Sequence, residues 1–193
     1  MNPLATVIYE DTMLPVAGGS YPLHDFVMRL VEDEINGQTH KLKKLFEKNP
    51  RKGIGNVLND LKVTSMLAGP GVLYVLIDRD VLASHIKLPA QSSDADIESA
   101  LKDRSDAPDK LRPFFLHPNL EGLLRNVRAC DPALLPDNMA RALTKKLNDR
   151  DIVLNELKKA HRLALRDCVR KAQPGLDALA RAIAASVSPD TIA

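Results

Sequence analysis

A chain of 193 residues, 45% of them hydrophobic, is long enough to bury one real core, or one core plus a helical extension. The formal net charge of +2 selects no partner class by itself, while four Phe, three Tyr and no Trp argue against base stacking as the main contact with nucleic acid. No apolar stretch approaches the roughly 18 residues of a membrane span, and no charged-then-apolar leader opens the chain, so a cytoplasmic protein with no membrane partner is expected.

In chain order, Ala5–Tyr9 is a strand candidate that ends in Glu10-Asp11. Thr12–Pro22 is rich in Gly and Pro and is predicted as a connection. Tyr21–Ile35 carries apolar residues near helical spacing, with Asn36-Gly37 as a stop. Lys41–Phe46 alternates weakly and is predicted as a short strand, followed by a turn at residues 49–53 and a helix over Ile54–Val63. The run Val72–Ile77 is apolar throughout, as in a strand buried on both faces, and it ends in Asp78-Arg79-Asp80. A helical turn at Val81–Ile86 follows, then a helix capped by Asp94 and reaching about Arg104.

A third apolar run, Phe114-Phe115-Leu116, leads into His117-Pro118-Asn119-Leu120-Glu121, and Asn119 is positioned to cap a helix from Leu120 to about Cys130. Pro132 and Pro136 then break the chain, and helices are predicted over Met139–Leu147, Asp151–Lys171 and Gly175–Ser186. Alternating strand and helix up to residue 131 predicts an α/β domain, a small and mostly parallel sheet with helices on both faces. Residues 132–193 are predicted as a helical extension packed on it. Cys130 and Cys168 lack a Cys-x-x-Cys spacing and are expected as reduced, packed thiols.

The three strand-like runs each deliver a carboxylate at or just past their carboxyl ends. Alternate strand residues share a face, so Asp78 and Asp80 fall together at the end where open α/β sheets place ligands. Hard oxygen donors there suit Mg²⁺ or Mn²⁺. The ordered set, Glu10 after the first strand and Asp78-Arg79-Asp80 after a later hydrophobic strand, resembles the Toprim fold. That fold is shared by topoisomerases, primases and the nucleases of the overcoming-lysogenization-defect (OLD) family. The segment from His117 to Leu124 is similar to the Asn-Pro-x-x-Glu-like turn and amphipathic helix of small RloB-type Toprim proteins of bacterial defence loci. Asp11 stands where topoisomerases and primases often carry glycine.

The resemblance implies a metal-dependent nuclease acting on DNA or RNA in antiphage defence or as a toxin. In it Asp78 and Asp80 hold Mg²⁺ (or Mn²⁺), Glu10 is a ligand or general base, and Glu121 completes the shell or holds a second ion. The partners it admits are nucleic acid, an ATPase subunit and further copies of this chain. The alternative is a catalytically degenerate Toprim-like module whose work is binding such an ATPase.

Between Met139 and Lys171 ten Lys and Arg stand against four Asp and Glu, so the carboxylate turns lie in a correspondingly acidic remainder. Lys158, Arg162, Arg166 and Arg170 recur every four residues on one helix face. Both an ordinary solvated face and a strip tracking a nucleic-acid backbone fit that spacing. Arg51-Lys52-Gly53-Ile54-Gly55 is a basic turn before a helix but lacks the Lys-Ser/Thr of a phosphate-binding P-loop. Phosphatases of the haloacid-dehalogenase type place Asp-x-Asp on an opening strand, whereas an acid-ended strand precedes it here. A nucleotide-sugar transferase needs more chain than is present.

Overall fold

The computed structural model describes residues 4–10, 22–35, 46–67, 71–117, 119, 125–127, 129–134 and 162–187. The predicted helix Met139–Leu147, residues 151–161 of the predicted helix Asp151–Lys171, and residues 41–45 of the predicted strand lie outside them. The chain divides into two compact units, one of Met1–Leu14 with Lys43–Phe115, the other of Pro15–Leu42 with Leu116–Ala193.

The fold is α/β, with three parallel strands in one sheet. Strands β1 (Ala5–Glu10), β2 (Phe46–Arg51), β3 (Val72–Asp78) and β4 (Leu111–Leu116) stand in the order β2-β1-β3-β4. The register pairs Ile8 with Val75 and Tyr9 with Leu76 across β1 and β3, and Tyr9 with Pro50 across β1 and β2. The expected buried strand is therefore inside the sheet, and residues Leu73 to Ile77 are at most 5% exposed.

Helix α2 (Ile54–Leu67), the short helix α3 (Leu82–His85) and helix α4 (Asp94–Lys102) supply one side of the first unit's core. Val57, Leu61, Leu82, Ile97 and Leu101 cluster with Ile8, Leu73, Val75 and Ile77. Burying each such side chain stabilises the fold by about 1.5–3 kcal/mol. The period-2 pleat thus gives one face of β3 to Leu73, Val75 and Ile77, and the other to Tyr74 and Leu76.

Several expected boundaries are corrected. The second strand is Phe46–Arg51, where a turn was expected at residues 49–53. Pro50 is tolerated because β2 stands at the edge of the sheet among the described residues, paired there with β1 alone. The turn itself narrows to Lys52-Gly53, where Gly53 adopts φ +77, a left-handed conformation open to glycine at no steric cost. Helix α2 runs a turn longer than expected. The cap of α4 is Ser93 rather than Asp94. The Ser93 hydroxyl accepts from the Asp96 N–H while the Asp96 carboxylate accepts from the Ser93 N–H, a complete capping box.

The second unit contains helices α1 (Pro22–Ile35), α5 (Arg162–Ala172) and α6 (Pro174–Ala185), packed pairwise against one another. Pro22 and Pro174 open α1 and α6, where a missing N–H costs nothing. Arg29 bridges Asp33 one turn along α1 at 3.0 Å. Arg166 of α5 forms an ion pair with Glu34 of α1, and Arg181 pairs with the buried Asp177 within α6 at 2.6 Å.

The expectation of reduced cysteines is overturned. Cys130 and Cys168 form a disulfide with Cα atoms 5.6 Å apart. Thirty-eight residues separate them in sequence, so only the packing of α5 beside residues 129–131 brings the sulfurs together. No helix among the described residues is long and apolar enough to cross a membrane.

Candidate metal centre

Parallel neighbours end at the same edge of a sheet. Strand β1 stops at Glu10 and β3 stops at Asp78, so two acids arrive at the carboxyl edge of adjacent strands. The backbone N–H of Asp78 donates to Glu10 Oε2 at 3.2 Å. Glu10 is thereby drawn across to β3, and its carboxylate lies against the first residue of Asp78-Arg79-Asp80. The pleat would send Glu10 toward the face of Ile8 and Ile77 and Asp78 toward the face of Leu76. The reach of Glu10 to the Asp78 amide closes that gap along the backbone.

Asp80 is exposed, and its Oδ1 accepts from the Val81 N–H at 2.9 Å. That contact is local to the turn before α3, whose N-cap is Val81, and Ser84 Oγ donates to the Val81 carbonyl at 2.8 Å. Arg79, between the two aspartates in sequence, bonds to residues of the next helix start. Its Nε donates to Asp94 Oδ1 at 2.9 Å, and a terminal nitrogen donates to the Ser92 carbonyl. The cation is held on the start of α4, and its side chain is only 13% exposed.

Glu121 lies outside the described residues, as does Lys158. His117, four residues before Glu121 in sequence, is held from far along the chain. The buried side-chain amide of Gln173 accepts from the His117 N–H at 2.8 Å and donates to the His117 carbonyl. Nothing in the local sequence pattern marks Gln173, because its partner is 56 residues away.

Of the basic stripe, the described side chains Arg166 and Arg170 are paired with internal acids. Arg166 bonds Glu34 and donates to the Asp33 carbonyl at 3.3 Å. Arg170 lies 3.7 Å from Glu34 and 3.5 Å from Asp177, with its side chain 45% exposed. Arg162 opens α5. At the end of β2, Arg51 forms an ion pair with Asp60 of α2, so that cation too has an internal partner.

Among the described residues, no group of three or more His, Cys, Asp or Glu side chains is disposed to hold a metal ion. The donor chemistry nevertheless fits Mg²⁺ or Mn²⁺. Mg²⁺ is commonly held by one or two carboxylates, with waters and substrate phosphates filling the octahedron. Glu10 and Asp78 supply one hard-oxygen side chain each at the carboxyl ends of two adjacent strands.

No protein-family model matches the chain, and no curated protein matches it. Among solved structures, the chain is similar to the C-terminal region of the Xanthomonas campestris pv. campestris OLD protein. The identity is 13%, the match covers 98% of this chain and 94% of that one, and the TM-score is 0.38. It is also similar to the C-terminal region of the Burkholderia pseudomallei OLD protein, at 14% identity, 98% and 90% coverage and a TM-score of 0.35. At these values neither likeness identifies the fold.

Proposed function

We propose that this chain is a metal-dependent Toprim-type nuclease that cleaves phosphodiester bonds in DNA or RNA. The observation that supports it is the hydrogen bond from the Asp78 N–H to Glu10, which joins two strand-end acids from separate parts of the sequence. In this proposal Glu10 and Asp78 hold Mg²⁺ or Mn²⁺, Asp80 is a further ligand, and Glu121 completes the shell or holds a second ion. When bound, such an ion polarises a phosphoryl oxygen and lowers the pKa of water beside it. The chain's own residues then orient the phosphate. Arg162 and the half-exposed Arg170 contribute positive charge, with Lys158 and Arg166 on the same sequence stripe. A role in antiphage defence or as a toxin, together with an ATPase partner, belongs to the same proposal.

The test is incubation with plasmid, single-stranded DNA and transfer RNA under Mn²⁺ or Mg²⁺, with and without an ATPase subunit. Cleavage should require the ion and vanish in Asp78→Ala. Ion-dependent cleavage that survives Asp78→Ala removes the assignment. A second proposal, a binding module that partners an ATPase, is favoured by one observation. Arg166 and Arg170 already face the internal acids Glu34 and Asp177, which leaves less charge for a phosphate backbone. Absence of cleavage together with capture of the ATPase selects that module.

A further inference from the structure

Arg79 is the one cation inside the Asp78-Arg79-Asp80 sequence, and its placement is not explained by its neighbours in the chain. The pleat that aims Leu73, Val75 and Ile77 at the core aims Arg79 the same way, toward α4, whose Ile97 and Leu101 pack in that same cluster. There the guanidinium meets Asp94 Oδ1 at 2.9 Å and the Ser92 carbonyl. Both partners flank Ser93, the N-cap of α4, whose box with Asp96 fixes the local backbone. The arginine is therefore tied to a rigid helix start, one residue from each of two aspartates.

We infer that Asp94 is a positioning residue: by holding Arg79 on α4, it keeps that cation away from the Glu10 and Asp78 carboxylates and leaves them able to take a divalent ion. This deepens the metal-site proposal above and rests on it. Released from Asp94, Arg79 has a long stem, five donors and carboxylates on both sides, the fork geometry that carboxylates accept most readily. It would then compete with the ion for the same oxygens. The Arg79–Asp94 pair is part-exposed on the Asp94 side, where the side chain is 47% exposed, so the tie is of modest strength. The competition it prevents is correspondingly modest, a few-fold in ion affinity.

The test is calorimetric titration of the full chain with Mn²⁺ alone, alongside Mn²⁺-induced shifts in thermal midpoint. Asp94→Asn should weaken Mn²⁺ binding about threefold, the scale of a part-exposed ion pair. Arg79→Met, which removes the cation and keeps the stem, should bind Mn²⁺ at least as tightly as the unaltered chain. In the double variant the Asp94→Asn effect should vanish, so that it binds like Arg79→Met. An Asp94→Asn loss that persists beside Arg79→Met overturns the inference, because Asp94 then acts on the ion directly through its own charge. Weaker binding in Arg79→Met overturns it too and marks the arginine as a support for the strand end. Unchanged binding in Asp94→Asn does the same. The metal-site proposal fails separately, and takes the inference with it, if the unaltered chain and Asp78→Ala respond to Mn²⁺ alike.

Discussion

The side-chain amide of Gln173 hydrogen-bonds both the N–H and the C=O of His117, as a neighbouring strand's backbone would. Gln173 also links α5 to α6. Its own N–H donates to the Val169 carbonyl at 2.8 Å, and its carbonyl accepts from Leu176 and Asp177. One fully buried polar residue thus joins the residue just past β4 to two helices of its unit. Replacing its side chain by an apolar one leaves both the N–H and the C=O of His117 without that partner. Gln173→Leu should destabilise the protein by about 2 kcal/mol, the penalty of leaving part-buried backbone groups unpaired, as read from urea unfolding midpoints. A change below a few tenths of a kcal/mol would mean that water replaces the amide freely.

Counting thiols tests the Cys130–Cys168 bond directly. Titration of the unfolded, unreduced chain should find no free cysteine, and both should appear after treatment with a dithiol. Because the bonded cysteines are 38 residues apart, reduction should lower stability by about 4 kcal/mol on the chain-entropy estimate. Two reactive thiols in the untreated protein contradict the bond.

Ser93 gives a pH prediction. The Asp96 carboxyl is held below its ordinary value of 3.8, first by the Ser93 hydroxyl and then by the Ser93 backbone N–H. A group whose folded pKa is depressed adds stability above its unfolded value and loses it as pH falls through the folded value. The contribution is complete at neutral pH and fades only below about pH 3.8. Ser93→Ala removes the larger cause, so carboxyl-detected NMR should show Asp96 titrating nearer its ordinary value. An unmoved titration curve counts against the capping box. Loss of the Ser93 cap itself should cost about 1 kcal/mol of stability.

Asp78 separates ligand from scaffold. Asp78→Asn keeps the side-chain shape and removes one charge beside Glu10 and Asp80. Without metal its unfolding midpoint should be unchanged or slightly higher, since like charges are relieved. The unaltered chain should gain about 2.7 kcal/mol from Mn²⁺ at 100 times the dissociation constant. Asp78→Asn should lose that gain. A large drop in metal-free stability would assign Asp78 a structural role instead.

The strands with the strongest local signal were legible in the sequence. Val72–Ile77 is apolar at every position because it is covered on both faces, and Ala5–Tyr9 is apolar but for the buried Thr6. Strand-end acids were legible for the same reason, since Glu10 and Asp78 stop apolar runs abruptly. Strand β2 was not, because Asn49, Pro50 and Arg51 carry turn chemistry. Only its edge position beside β1 makes them a strand. Likewise Pro113 masked the start of β4 at Leu111. The remaining misses are long-range. Glu34 lies 132 residues from Arg166, Gln173 lies 56 from His117, and no periodicity encodes such pairs. The Arg79–Asp94 tie spans a loop and depends on where α4 begins, which a residue-by-residue propensity does not fix.

The bond between Cys130 and Cys168 also alters what a protease can accomplish. Any single cut between Asp131 and Asp167 yields two peptides that remain one covalent molecule, with α5 and α6 still attached to the segment that follows β4. The cleaved protein would migrate as a single species until its sulfurs are reduced, and its intact mass would differ only by the water of hydrolysis. Continuity of the polypeptide is therefore dispensable in that interval for keeping the carboxyl-terminal helices in the molecule.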